Sequence, residues 1–125
     1  MRLFFAIIIA LSSAFTFKSG AEFYFLESKN HDFPDSKQGI TLVHEFSFSN
    51  KGDMPLVVSN YKVACSCTRL IFPKEPILPG QKGVLRMEFD TAGKRGFQSR
   101  KIQVFSNAKK TIKLSFRVFV LNEKA

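Results

Sequence analysis

Residues 111–121 place an apolar side chain at every second position, and this alternation constrains the fold more than any other feature of the sequence. One face of the segment carries five apolar residues: Ile112, Leu114, Phe116, Val118 and Val120. Because successive side chains of a strand point to opposite sides, this period of two predicts a β-strand with one buried face. After residue 21, no segment sustains the 3.6-residue period of a helix. The sequence therefore predicts an all-β fold.

Turn signals divide the remaining chain into further strands. Strands are predicted at residues 22–27, 40–50, 56–64, 69–72, 84–90, 97–106 and 111–121. Gly, Pro, Asn and Asp lie between them, and residues 28–39 are predicted to form a loop. Three prolines at 73, 76 and 79 exclude a helix or a central strand there, because proline lacks an N–H donor. About seven short strands in one domain predict an antiparallel β-sandwich.

Residues 1–21 have the features of a signal peptide. Arg2 precedes an unbroken apolar run at residues 3–11, which is too short to span a membrane, since a spanning helix needs about 20 apolar residues. Small residues before Ala21 favour cleavage there, and cleavage after Ala14 is the alternative. We therefore expect an exported protein whose single domain covers residues 22–125. The periplasm is the first expectation, with secretion or the cell surface as alternatives.

The chain is strongly basic, with a formal net charge of +9. Removal of residues 1–21 takes away Arg2 and Lys18 and no acid, which leaves +7. The basic residues are spread along the strands and turns, which is typical of a solvated surface. Export argues against nucleic acid as a partner, whereas weak association with an anionic membrane surface is compatible with this charge.

The chain contains two cysteines, Cys65 and Cys67, one residue apart. An even number of cysteines in an exported protein favours a disulfide, although α-carbons two residues apart in an extended strand lie about 6.6–7 Å apart, near the limit for that bond. Three interpretations stay open. The pair is a local disulfide or thiol pair that shapes a strand end. It holds copper(I), completed by Met54, Met87 or His44. Or it performs thiol–disulfide exchange.

No catalytic constellation is present in the sequence. His31 and His44 are isolated histidines and are expected to be core or surface residues. No Ser-His-Asp arrangement or recurring carboxylate pair stands out, and residues 93–96 are better explained as a hairpin turn than as a phosphate-binding loop. We therefore predict no catalytic residue, no enzyme activity and no cofactor, with a weak copper site at Cys65 and Cys67 as the exception.

Several separate motifs occur in an order that resembles the DUF1573 family of exported bacterial proteins, whose function is unknown. They span residues 40–121 and are Phe48-Ser49-Asn50-Lys51-Gly52, Pro55-Leu56, Cys65-Ser66-Cys67-Thr68, Pro76-Ile77-Leu78-Pro79-Gly80, Phe89-Asp90-Thr91, the Gly-rich turn from Gly93 to Gly96, and Ser106-Asn107. The chain departs from the family pattern at Ser66, where glycine is usual. The resemblance implies an immunoglobulin-like β-sandwich and no established activity.

We therefore expect a small exported, non-enzymatic binding or structural module of the bacterial cell envelope. Its partner would be another envelope protein or a glycan, and the oligomeric state stays open. The alternative is a copper(I)-handling or thiol-redox protein that uses the two cysteines. The expected interaction segment follows the cysteine pair and comprises Thr68, Phe72, Pro73, Pro76 and Pro79.

Overall fold

The computed structural model describes residues 20–122, which form eight strands. In chain order these are β1 (Phe23–Phe25), β2 (Asn30–Asp32), β3 (Thr41–Asn50), β4 (Val58–Val63), β5 (Thr68–Ile71), β6 (Lys82–Asp90), β7 (Gly96–Ser106) and β8 (Ile112–Val120). They build two four-stranded sheets, ordered β1-β3-β6-β5 and β2-β8-β7-β4. Within residues 20–122 no helix is long and apolar enough to cross a membrane. The predicted signal peptide lies almost entirely outside the described residues.

The alternation in β8 produces the buried and exposed faces that the sequence predicts. Leu114, Phe116 and Val120 are completely buried, whereas the intervening Phe119 is 46% exposed. β8 pairs antiparallel with β7, so that Phe119 lies opposite the exposed Phe97. The hydrophobic core therefore lies between the two sheets, as expected for a sandwich.

Phenylalanine rings join the two layers. Phe46 and Phe48 of β3 and Phe89 of β6 come from one sheet, and Phe116 of β8 comes from the other. The rings of Phe89 and Phe116 lie 5.0 Å apart in a tilted arrangement that aromatic pairs favour. The Phe-rich composition of the chain is thus used to fill the space between the sheets.

The expected strand pattern differs from the structure at residues 28–39. This segment, predicted as a loop, contains β2, which pairs parallel to β8 and adds an eighth strand to an otherwise antiparallel architecture. Asp32 of β2 accepts two hydrogen bonds from the Arg117 guanidinium, at 2.7 and 2.8 Å. Three residues are too few to show a period, so the strand exists because the edge of β8 offers it a partner.

The folded segment includes residues just before position 22. The Gly20 N–H donates to Asp53 Oδ1 at 2.6 Å, and the Asp53 N–H donates to the Gly20 carbonyl at 3.0 Å. Ala21 is 7% exposed and belongs to the core. Gly52 has no room for a Cβ, which would meet the Gly20 carbonyl oxygen and lie 2.8 Å from the Ala21 Cα. The described fold thus uses two residues that cleavage after Ala21 would remove.

Candidate functional site

The cysteine pair forms a disulfide at the corner between β4 and β5. Cys65 and Cys67 are bonded, and their α-carbons lie 5.2 Å apart, within the usual disulfide range. The chain bends here, because the Thr68 N–H donates to the Cys65 carbonyl at 3.1 Å. This turn brings the α-carbons closer than an extended strand would. Both cysteines are half-buried, and Ser66 between them is exposed.

The two sulfur atoms have different surroundings. Cys65 Sγ accepts a hydrogen bond from the Cys67 N–H at 3.2 Å, and Lys94 Nζ lies 3.9 Å from it. Cys67 Sγ instead contacts the Thr68 hydroxyl at 3.8 Å and packs against the hydrophobic core. One backbone donor and one ammonium group therefore converge on Cys65.

The two methionines considered for a copper site differ in their exposure to solvent. Met87 is completely buried, whereas Met54 is 55% exposed in the connection between β3 and β4. The disulfide leaves neither cysteine as a thiolate, the form that binds a soft metal. Within residues 20–122, no three or more His, Cys, Asp or Glu side chains are grouped to hold a metal ion. Copper binding stays a prediction that would need the reduced pair.

The segment expected to interact with a partner runs along the edge of the sandwich formed by β4 and β5. Thr68 is 3% exposed, so its side chain is part of the interior. Phe72 is half-buried against Tyr61, with ring centroids 6.2 Å apart. Ile77 and Leu56 exchange two backbone hydrogen bonds of 2.8 Å. The prolines of the segment differ in exposure: Pro73 is half-buried, and Pro76 and Pro79 are exposed.

Two histidines that the sequence shows as isolated residues meet in the structure. His31 of β2 and His44 of β3 stack with ring centroids 3.6 Å apart, one from each sheet. Burial, and next the charge of His31, lower the pKa of His44 from its ordinary value. The period of two predicted that His44 shares a face of β3 with Phe46 and Phe48, and it does. Nothing in the sequence indicated the stack with His31, because the stack depends on the unpredicted strand β2.

A groove lies at the opposite edge of the sandwich, beside β1. It has a volume of about 910 Å³ and is lined by β1, the connection to β2, and the turn between β7 and β8. Its lining combines apolar and charged side chains. The apolar ones include Phe23, Phe25, Ala108 and Ile112, and the charged ones are Glu22, Glu27, Lys29, Lys109 and Lys110. This volume lies within the range of ligand-binding clefts.

The outer edge of β1 opens onto this groove. The Leu26 N–H donates to the Ser47 carbonyl, so in β1 the alternate residues Phe23 and Phe25 direct their N–H and C=O groups away from β3. In the other sheet, the edge of β8 is occupied at this point, because the Ser115 N–H donates to the Lys29 carbonyl. The sequence predicted β1 as a strand but gave no signal that, among residues 20–122, no strand pairs with its outer edge.

The sequence comparison identifies one family. The sequence model described as "Protein of unknown function (DUF1573)" matches residues 25–120. No curated protein matches the chain at a significant level.

Solved structures with a similar fold come from proteins of different organisms and kinds. A protein of unknown function from Porphyromonas gingivalis W83 matches with a TM-score of 0.67 and 16% identity, covering 79% of this chain and 46% of that one. The ASH / PapD-like domain of human CEP192 matches with a TM-score of 0.63 and 14% identity, covering 86% of this chain and 89% of that one. Vibrio cholerae VesB protease matches with a TM-score of 0.58 and 8% identity, covering 82% of this chain and 32% of that one.

These similarities establish the fold alone, because all three identities are low. The chain spans about half the length of the Porphyromonas protein and about a third of the protease chain. The predicted immunoglobulin-like sandwich is confirmed by the architecture and by the PapD-like neighbour.

Proposed function

The chain belongs to the DUF1573 family, and from this premise we propose that it is a small exported, non-enzymatic binding module of the bacterial cell envelope. Its ligand is an extended, acidic segment of another envelope protein. That segment binds in the groove beside β1 by adding a strand to a free sheet edge. The groove beside the outer edge of β1 is the observation that carries this proposal.

Strand addition explains why the edge of β1 is useful. The outward N–H and C=O groups of Phe23 and Phe25 provide main-chain partners for an incoming strand. The side chains of both residues are half-buried and pack against the core, which offers an apolar floor. A bound strand would therefore place every second side chain on this floor, and we expect a ligand with apolar residues at alternate positions.

Charge selects an acidic segment over a neutral one or a glycan. Lys109 and Lys110 lie together in the turn at one side of the groove, and Lys29 lies in the connection between β1 and β2. The chain without residues 1–21 still carries +7, which adds long-range attraction for an acidic ligand. Glu22 and Glu27 lie on the β1 side. The acidic residues of the ligand would therefore face the lysines of the β7–β8 turn.

Export is proposed from the signal-like residues at the amino terminus. The contacts of Gly20 and Ala21 with Asp53 and the core favour cleavage after Ala14 over cleavage after Ala21, because only the former preserves them. Intact mass of the protein recovered from a bacterial periplasmic fraction distinguishes the two sites. Recovery of the uncleaved chain in the cytoplasm would contradict export itself.

Binding can be tested with a fluorescein-labelled peptide of about ten residues in which Asp and Val alternate. The control peptide has the same composition but groups its valines in one block. Fluorescence anisotropy should show at least about tenfold tighter binding of the alternating peptide, because only that peptide puts all its valines on one face of a strand. No measurable binding, or equal binding of the two peptides, would refute the proposal.

A charge-reversed variant locates the binding site. Lys110→Glu, in the groove, should weaken binding several-fold and reduce its salt dependence. Lys74→Glu is the control, because Lys74 is also exposed but lies in the segment between β5 and β6. An equal loss in both variants would mean that the peptide responds to net charge and not to the groove.

A further inference from the structure

We propose that the Cys65–Cys67 disulfide is a redox-active oxidant of dithiols, in which Lys94 makes Cys65 the leaving group. This activity does not rest on the proposed peptide binding. It concerns a corner of the sandwich formed by β4, β5 and the turn between β6 and β7, whereas the groove is built from β1 and the turn between β7 and β8.

The unequal surroundings of the two sulfurs carry the inference. Cys65 Sγ faces the Lys94 ammonium at 3.9 Å and the Cys67 N–H at 3.2 Å, and both would stabilise negative charge on that atom. Cys67 Sγ meets the neutral hydroxyl of Thr68 at 3.8 Å. In thiol–disulfide exchange the better-stabilised thiolate leaves faster. The structure therefore assigns Cys65 as the leaving sulfur and Cys67 as the sulfur that the partner thiolate attacks.

Lys94 is held in place by its backbone. Its N–H donates to the Thr91 carbonyl at 3.1 Å, and its carbonyl accepts a hydrogen bond from Gln38 Nε2 at 2.7 Å. Gly93 and Gly96 on either side have positive φ angles of 71° and 70°, a conformation that glycine adopts without strain. This turn, which the sequence predicted only as a hairpin connection, thus presents an ammonium group to a sulfur 29 residues away.

Other charged residues on the adjoining segments do not contact Cys65 Sγ in the same way. Lys62 lies on β4 and Arg69 on β5, and both are exposed. Asp90 at the end of β6 donates its N–H to the Cys67 carbonyl, while its carboxylate accepts the Ala92 N–H at 2.9 Å. The Asp90 carboxylate is thus engaged locally.

The reaction balances with a partner dithiol as reductant. A thiolate of the partner attacks Cys67 Sγ, which forms a mixed disulfide and breaks the Cys65–Cys67 bond, and the electron pair goes to Cys65 Sγ beside Lys94. The partner's second thiolate then attacks the partner sulfur of the mixed disulfide. This closes the partner's disulfide and expels Cys67, which takes up a proton. The partner loses two electrons and the cysteine pair gains them.

Alkylation of single cysteines tests the asymmetry. Cys67→Ser leaves Cys65 alone, and Cys65→Ser leaves Cys67 alone. The rate of reaction with iodoacetamide, followed against pH by intact mass, should reach its midpoint at lower pH for Cys65 than for Cys67. Adding Lys94→Gln to Cys67→Ser should slow alkylation near pH 6 by about tenfold, whereas Lys110→Gln should not. Coincident profiles, or no effect of Lys94→Gln, would overturn the proposal.

The equilibrium with glutathione tests the redox role in the protein with both cysteines. The oxidised chain should be reduced by dithiothreitol and should equilibrate with mixtures of reduced and oxidised glutathione. Lys94→Gln should lower the reduction equilibrium constant by about tenfold, and Lys94→Arg should restore most of it. A folded protein whose disulfide resists dithiothreitol, or a Lys94→Gln variant with an unchanged equilibrium, would show that the disulfide is purely structural. Failure of peptide binding would leave these results unaffected.

Discussion

The side-chain amide of Asn50 links three segments of the fold, and replacing it with a carboxylate should be strongly destabilising. Asn50 is completely buried at the end of β3. Its Oδ1 accepts the N–H groups of Glu22 and Gly52 at 3.2 and 2.9 Å. Its Nδ2 donates to the carbonyls of Met54 and Ile77 at 2.7 and 2.9 Å. The amide therefore accepts two hydrogen bonds through its oxygen and donates two through its nitrogen.

Asn50→Asp preserves the shape of the side chain but removes both donated hydrogen bonds. The carbonyls of Met54 and Ile77 would then face a carboxylate oxygen. The part-buried Met54 carbonyl loses this donor, whereas the Ile77 carbonyl keeps the Leu56 N–H as its other donor. A lost hydrogen bond costs about 0.5–1.5 kcal/mol, so the two together predict a loss of about 1–3 kcal/mol, to which the burial of an ionised carboxylate adds. This is a large share of the roughly 5–15 kcal/mol that stabilises a typical domain.

The free energy of unfolding should be measured by urea titration at about pH 7 and about pH 4.5. Burial should raise the pKa of the introduced carboxyl, so the folded variant binds more protons than the unfolded chain, and its deficit against wild type should shrink as the pH falls. Asn60→Asp is the control. Asn60 is exposed, and its Oδ1 accepts the Tyr61 N–H, which a carboxylate also accepts. A cost below about 1 kcal/mol, or one equal to that of Asn60→Asp, would refute the reasoning.

Three further predictions concern the core and the histidine stack. Phe116→Ala should lower the free energy of unfolding by about 3–5 kcal/mol, because Phe116 is completely buried. Phe119→Ala, on the exposed face of the same strand, should cost far less. Equal losses in urea unfolding would mean that the faces of β8 are assigned wrongly. Gly83→Ala should cost about 1–3 kcal/mol, because its Cβ would lie 2.6 Å from the ring of the buried Phe48, and an unchanged melting temperature would contradict this packing. The pKa of His44 is lowered from 6.5, so the folded state favours the neutral imidazole, and the stability that this provides above pH 6.5 should be lost as the pH falls further. His44→Gln should therefore lose less unfolding free energy than wild type between about pH 7.5 and 5. An identical pH profile for the two proteins would argue against the stack.

The redox proposal and the binding proposal concern separate parts of one small sandwich. The disulfide corner lies where β4 leads into β5, and the groove lies beside β1. In the sheet orders, β1 and β5 occupy opposite edges of the same sheet. Variants at Lys94 and at Lys110 can therefore be studied independently, and each serves as a control for the other.

The sequence by itself determined which residues face the core. The period of two is a property of the strand backbone, so Leu114, Phe116 and Val118 had to share a face once the segment was extended. The order of motifs indicated the family, and the turn residues marked where most strands end. These signals are local, since each depends on residues close together in the chain, and they sufficed for an all-β sandwich.

Only the tertiary structure decided which distant side chains meet. Asp32 reaches Arg117 across 85 positions, and Lys94 reaches Cys65 across 29. Such contacts are set by which strands become neighbours, and pairing between strands leaves no period in either one. The outer edge of β1, with which no strand of the described segment pairs, has the same origin, because an edge depends on which strands become neighbours. The functional proposals for this protein therefore rest on contacts and edges that appeared only when the two sheets came together.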